Sequence, residues 1–362
     1  MRFAVLTNGR CRERDAVVEA LVETCLARGH TLSNSPDAVN FVFNLTDTDN
    51  PRSFRRRAQS VFVFSFVAAH GGARDLRSIC YTTLIKSLSN LLICVVPGES
   101  AAAPGIFFTT PEAGFYTIPF DPEEVYLHIL PIAGAHFATE NRFSEDLPLR
   151  FQEHSPVVEQ IRTFGGELDR LGVLPVPFPL KEILTEDALR HLYKIYGITG
   201  ASYGNLSARE HIPELGGQTF WMTGRGVNKA RIEKVGKDVL LVKGFDLAGG
   251  AALVSVPPGN DPKARVSVDA IEHHLIYSTF PDVGAIVHAH AWIDGVRCTR
   301  QNYPCGTREL AREVVDLLGQ NDDPSRSAVG LKNHGLTITG HTLDDVFQRI
   351  RGNLKTEVPM FA

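Results

Sequence analysis

Val283-Gly284-Ala285-Ile286-Val287-His288-Ala289-His290-Ala291 is an apolar run broken by two histidines one residue apart. Its pattern predicts a strand, and on a strand residues two apart project to the same face. Both imidazoles therefore point into one space. The pair is either half of a metal site or two hydrogen-bonded core histidines, since a catalytic zinc ordinarily takes three protein ligands and keeps one position open.

A third histidine occurs in Ala328-Val329-Gly330-Leu331-Lys332-Asn333-His334-Gly335-Leu336-Thr337-Ile338, where a strand-like run meets a glycine. The backbone can turn there, and His334 can face a cavity. His288, His290 and His334 are the candidate metal ligands, and three histidines with an open coordination position suit catalysis rather than a structural role.

Upstream, Thr185 with Glu186-Asp187 suits a helix N-terminus, and Leu189, Leu192, Tyr193 and Tyr196 recur at helical spacing as far as Gly197. Between Glu140 and Pro179 five prolines loosen the pattern around one helix, Val157 to Leu171, which predicts an inter-domain connection. Before it, Phe3 to Leu6, Asp15 to Arg28, Asn40 to Leu45, Val61 to Val67, Leu76 to Ser89 and Leu91 to Val96 follow one another as strand-like and helix-like runs. That predicts an α/β layer with a largely parallel sheet. The expected organisation is an N-terminal Rossmann-like α/β domain over 1–145, a linker with a helix over 146–180, and a metal-binding domain over 181–362. Thr7-Asn8-Gly9-Arg10 is not a G-x-G-x-x-G turn and no P-loop is present, so no nucleotide cofactor is assigned. Arg52, Arg55, Arg56 and Arg57 form a positive cluster that reads as a solvated helix face or an anion site.

The 362 residues are 43% hydrophobic and 22% charged, values of a folded soluble chain. A net charge of -4 offers no field for phosphate backbones, so no nucleic-acid partner is expected. The apolar start, Met1 to Leu6, is too short for a signal-peptide core, and no apolar run approaches the ~20 residues of a membrane helix. A cytoplasmic location with no membrane partner is the expectation. Six cysteines without C-x-x-C pairing are expected as reduced thiols, with Cys298 and Cys305 read as small buried hydrophobes or, alternatively, nucleophiles.

Gly204-Asn205-Leu206-Ser207, His288-Ala289-His290 and Asn333-His334-Gly335, in that order, resemble the signature of the class II aldolase/adducin family from near Lys181 to the C-terminus. The resemblance implies a class II aldolase-like α/β/α domain, with a mostly antiparallel sheet between helix layers. It also implies a divalent cofactor on the three histidines, Zn2+ or else Mn2+ or Co2+, a small-molecule substrate, and a homo-oligomer, commonly a tetramer with sites at subunit junctions. Gly204, Asn205 and Ser207 would hold the substrate's anionic end, and Thr223, Gly224, Arg225 and Gly226, with Ser267, would form a second anion site, where glycines let backbone N–H groups converge. In the N-terminal half, Arg28-Gly29-His30 followed by Phe41 to Leu45 bears a slight resemblance to the small α/β domain that precedes ATP-grasp catalytic domains.

Counting back from Phe280-Pro281-Asp282 puts Asp269 at the place of the aldolases' catalytic glutamate, with Glu272 as local rival and His273 as a partner behind the ligands. Both acids could instead serve the helix N-terminus that begins there. Tyr303, shortly before Gly306-Thr307-Arg308-Glu309-Leu310, takes the proton-donor position. Arg225 replaces a small hydroxyl residue and Val268 a serine of the phosphate-binding members. A guanidinium is a two-pronged partner for carboxylate, so the substrate is expected to be a carboxylate as readily as a sugar phosphate. The loop from His290 to Tyr303 is short, and the chain ends at Ala362 soon after helix-like Leu343 to Leu354, which implies curtailed closing helices. The expected activity is that of a metal-dependent lyase (aldolase), with reversible carbon-carbon cleavage through a stabilised enediolate. Epimerisation, decarboxylation, or a non-catalytic adducin-like scaffold are the alternatives.

Overall fold

Phe3, Phe41, Phe43, Phe62, Phe64 and Phe66 are all buried, and their period-two spacing puts each set on one face of its strand. They belong to β1 (Arg2–Thr7), β3 (Phe41–Leu45) and β4 (Phe62–Ala68), which run parallel with β2 (Thr31–Leu32) and β5 (Leu91–Val96). An antiparallel hairpin of β6 (Gly105–Thr109) and β7 (Phe115–Pro119) completes a sheet of order β2-β1-β3-β4-β5-β6-β7. The computed structural model describes all residues except 55–60, 70–75, 99–103, 175–184, 188 and 191–201.

Helices α1 (Arg12–Ala27) and α3 (Pro122–Ala133) share a core with the phenylalanine face. Across the sheet, α2 (Leu76–Ser87) packs on Val67, Leu92 and Cys94. Cover on both faces is what a parallel sheet requires. The order differs from the 3-2-1-4-5-6 arrangement that defines the dinucleotide-binding fold. What the structure shows is a mixed α/β layer, and the Rossmann-like expectation is narrowed to that.

The second sheet comprises β8 (Glu140–Ser144), β9 (Asn205–Arg209), β10 (Phe220–Thr223), β11 (Val239–Asp246), β12 (Ala251–Ser255), β13 (Ala285–Ala289), β14 (Arg297–Cys298), β15 (Ala328–Leu331) and β16 (Gly335–Gly340). Its order is β14-β15-β16-β13-β9-β10-β11-β12-β8, antiparallel throughout except for the β14/β15 and β12/β8 pairs. The strand Glu140–Ser144 is thus an edge of the second sheet. Helices α4 (Pro156–Arg170) and α7 (Leu343–Ile350) pack on one face, with Phe164 stacked on Phe347 at 4.5 Å, and α5 (Ala270–Thr279) and α6 (Arg308–Leu318) on the other. Helix α4 starts at Pro156 behind Ser155, whose hydroxyl accepts from the Val158 amide.

The two sheets are tied by a short bridge at Phe137 and Thr307, flanked by Ala138 N donating to Gly306 O (2.8 Å) and Arg308 N to His136 O (3.0 Å). Of the helix expected between Thr185 and Gly197 only 185–187, 189 and 190 are described, and Arg55, Arg56 and Arg57 lie outside the described residues. Among the described residues no helix is long and apolar enough to cross a membrane, and all six cysteines are free.

Candidate metal centre

Strand β13 lies between β9 and β16, with His288 opposite Asn205 on one side and Thr337 on the other. His290 follows the strand's last residue, so both rings project from the same face, as period-two geometry requires. The third ring comes from the turn between β15 and β16, where Asn333 takes a left-handed conformation (φ 58°) and His334 N donates to Leu331 O at 3.0 Å. Gly204 brings the neighbouring loop within reach: at φ +72°, a Cβ there would sit 2.6 Å from the His288 carbonyl oxygen, so only glycine permits the approach.

The three histidines converge, each offering a nitrogen within 4.8 Å of the others. His290 Nε2 and His334 Nε2 are 3.1 Å apart. His288 Nδ1 is 3.0 Å from the Leu336 carbonyl, an arrangement in which Nδ1 carries the proton and Nε2 keeps its lone pair for the site. Burial pushes the imidazolium pKa of all three below the ordinary histidine value, which keeps them neutral. Neutral, convergent nitrogens at this separation fit a tetrahedral ion, for which bonds of about 2.0 to 2.1 Å put ligand nitrogens roughly 3.3 Å apart. Cys305 Sγ is 3.5 Å from His334 Nε2 but does not join the convergent set.

His288 and His290 open on a cavity of about 90 Å³. Gly204, Asn205, Gly224, Arg225, Gly226 and Ser267 line it, and so do Asp269 and Tyr303. Ser207, Thr223 and Glu272 are not in its walls. Ser207 is buried beneath α5, with its Oγ 2.7 Å from His273 Nδ1 and 2.8 Å from the Tyr277 hydroxyl, and Thr223 Oγ1 accepts from Leu206 N at 3.3 Å. Glu272 accepts from the Thr337 hydroxyl at 2.6 Å, and burial, then the charge of Asp269, hold its pKa above the usual carboxylate range. These three side chains support the site from behind.

Asp269 accepts from Asn205 Nδ2 at 2.7 Å, which fixes its carboxylate toward the cavity. Arg225 donates from its guanidinium to the Thr139 carbonyl at 2.8 Å and lines the cavity. Two cavity-lining residues were not singled out by the sequence reading. Lys229, 4% exposed, donates to the Ser202 carbonyl at 2.9 Å and also lines the cavity. Burial brings its pKa down to about 8, with Asp269 opposing. A buried ammonium facing a cavity is a candidate partner for an anion. Its only sequence signal was its place four residues after Arg225. The other, Glu112, comes from the first sheet, and Thr110-Pro111-Glu112-Ala113-Gly114 reads in sequence as a plain turn.

Residues 186–293 match the model of the Class II Aldolase and Adducin N-terminal domain. This stretch belongs to the class II aldolase/adducin family. It holds His288, His290, Asp269, Arg225 and Lys229, and stops before His334, which the fold brings to the same place. Methylthioribulose-1-phosphate dehydratases of two Leptospira biflexa serovar Patoc strains are 28% identical over 126 residues, covering 35% of this chain and 52% of theirs. The chain thus spans about half the length of these curated relatives. Among solved structures, L-fuculose 1-phosphate aldolase is 19% identical over 56% of this chain and 83% of its own, with a TM-score of 0.37. YgbL from Klebsiella pneumoniae is 18% identical over 54% and 83%, with a TM-score of 0.33.

Proposed function

We propose that the chain is a divalent-metal-dependent lyase that makes and breaks a carbon-carbon bond in a small hydroxy-carbonyl carboxylate. The observation that carries this reading is the convergence of three neutral imidazoles, two of them in the wall of a cavity that also holds Asp269, Arg225 and Lys229. When bound, the metal, zinc for preference, supplies Lewis acidity to a carbonyl and its neighbouring hydroxyl. Arg225 and Lys229 hold the substrate's anionic end. In the condensation direction Asp269 takes a proton from the carbon beside the carbonyl, and Asn205 keeps its carboxylate aimed. Tyr303, half-buried in the same wall, is the sequence's choice for the group that protonates the acceptor oxygen.

A homo-oligomer, as the family resemblance implies, belongs to this proposal and is read by light scattering. The relatives' name favours one second reading, a dehydratase, in which hydroxide rather than carbon leaves from the same three-histidine site. The test is metal content by plasma mass spectrometry together with turnover of short hydroxy-keto acids, assayed for cleavage and for loss of water. One metal per chain with metal-dependent cleavage is expected, and a metal-loaded chain that turns over none of them overturns the proposal.

A further inference from the structure

The wall of the cavity facing away from the second sheet's loops is built by the first sheet, through the turn that joins β6 to β7. Thr110 N donates to Gly114 O (3.1 Å), Ala113 N to Thr110 O (3.0 Å) and Gly114 N to Thr110 Oγ1 (3.1 Å), so the tip is a closed unit. The hydroxyls of Tyr81 and Tyr203 both lie within hydrogen-bond distance of the Pro111 carbonyl, at 3.2 and 3.0 Å. Ala113 sits at φ 66°, a conformation that costs a non-glycine residue about 1 kcal/mol or more and persists only where the surroundings enforce it. A Cβ on Gly114 would lie 2.7 Å from the Asn333 carbonyl oxygen, so the tip is keyed against the turn that carries His334.

This placement delivers Glu112 into the cavity. Its Oε1 is 3.4 Å from Cys305 Sγ, and the same sulfur is 3.5 Å from His334 Nε2. No lysine or arginine pairs with Glu112 among the described residues. Burial, with Asp269's charge as a smaller cause, raises its pKa, which favours its protonated form. Burying an acid without a counter-ion is costly to the fold. Two carboxyl groups in unlike surroundings, one held as a proton donor and one hydrogen-bonded as an acceptor, are the pattern of an acid and a base.

We propose that Glu112, supplied by the N-terminal sheet, is a catalytic acid-base residue of this site and takes the role expected of Tyr303. The inference rests on the lyase reading above. In condensation the electron pair of the enediolate carbon forms the bond to the acceptor's carbonyl carbon. The acceptor's C=O π bond breaks onto its oxygen, and the Glu112 O–H breaks to give that oxygen its proton, leaving the Glu112 carboxylate. In cleavage the carboxylate takes the hydroxyl proton back, C=O re-forms, and the carbon-carbon pair returns to the enediolate.

The experiment uses the zinc-loaded full chain with hydroxypyruvate as probe. Exchange of its C3 hydrogens with D2O reads the first half-reaction, and condensation with glycolaldehyde reads the whole. Glu112→Gln is expected to keep zinc and C3 exchange while condensation falls about 10²- to 10⁴-fold. Glu112→Asp should recover part of the loss, and Tyr303→Phe should cost little. Condensation at the parent rate in Glu112→Gln overturns the inference and leaves the lyase reading standing. Loss of zinc and of C3 exchange in both Glu112→Gln and Glu112→Asp makes Glu112 a structural residue and overturns it too. A zinc-loaded parent that neither exchanges nor condenses overturns the lyase reading, and this inference with it.

Discussion

Tyr203 lies against His290 with ring centroids 4.1 Å apart and planes 21° apart, while its hydroxyl reaches the Pro111 carbonyl at 3.0 Å. One side chain therefore braces a metal-ligand candidate and grips the first sheet. Stacking restricts rotation of the imidazole, and the hydrogen bond ties that restriction to the position of the β6–β7 turn.

Tyr203→Phe keeps the stack and removes only the hydroxyl. It is expected to lower stability by about 1 to 3 kcal/mol, the net worth of the two hydrogen bonds to Pro111 O and the Tyr81 hydroxyl, with metal affinity unchanged. Tyr203→Ala releases the ring, and groups that orient a ligand cost about 10- to 100-fold in metal affinity when lost. Denaturant melts and competition against a chromophoric chelator check both. Equal affinities in the two variants would show that the stack does not hold His290.

Substituting alanine for His288, His290 or His334 should in each case abolish stoichiometric metal after dialysis. Two imidazoles cannot complete the three-ligand set that an open catalytic site needs. Plasma mass spectrometry of the three variants decides it, and full metal in any one removes that residue from the set.

Asp269→Asn preserves shape and removes the base, so kcat should fall about 10²- to 10⁴-fold with metal retained. Glu272→Gln should leave kcat within a few-fold, since Glu272 faces Thr337 rather than the cavity. It should instead change stability with a definite sign. The folded pKa of Glu272 is raised by burial and by Asp269, so above the unfolded value of about 4.3 the folded chain holds a proton that the unfolded chain has lost. This contribution is therefore present at low pH and is lost as pH rises through the folded pKa. Melts of the metal-free protein should show Glu272→Gln gaining on the parent from pH 5 to pH 9. A pH-independent gap would mean the acid is ionised throughout.

Lys229 is a cation below about pH 8 and loses its charge above it. If it receives the substrate's carboxylate, kcat/KM should fall on the alkaline side with a pKa near that value. Lys229→Met should lack that limb, and its KM should be raised at neutral pH by about tenfold or more, the scale of a charge-assisted hydrogen bond. Arg225→Lys keeps the charge but loses the fork, so KM should rise with metal content steady. An alkaline limb that survives in Lys229→Met assigns the titration to another group.

Much of the site was legible because strand periodicity and turn chemistry are local. His288 and His290 share a face by the spacing alone, and the glycine after His334 marked the turn. The same logic misled at Ser207. It shares strand parity with Asn205, but α5 closes over Ser207, where His273 and Tyr277 take its hydroxyl, while Asn205 stands at the strand's open end. Lys229 was passed over because burial of a lysine depends on neighbours such as Ser202 that come from another loop.

The sequence by itself determined the shared face of His288 and His290, the order of strand-like and helix-like runs, and the loops rich in glycine, because each follows from backbone geometry within a few residues. Only the tertiary structure decided that Glu140–Ser144 joins the second sheet, that Glu112 faces His334's neighbour Cys305, and that Tyr203 links Pro111 to His290. These contacts join parts of the chain far apart in sequence. They depend on how one sheet docks against the other, through the Phe137–Thr307 bridge and the close approach of Gly114 to Asn333, and neither hydrophobic period nor local motif encodes that docking.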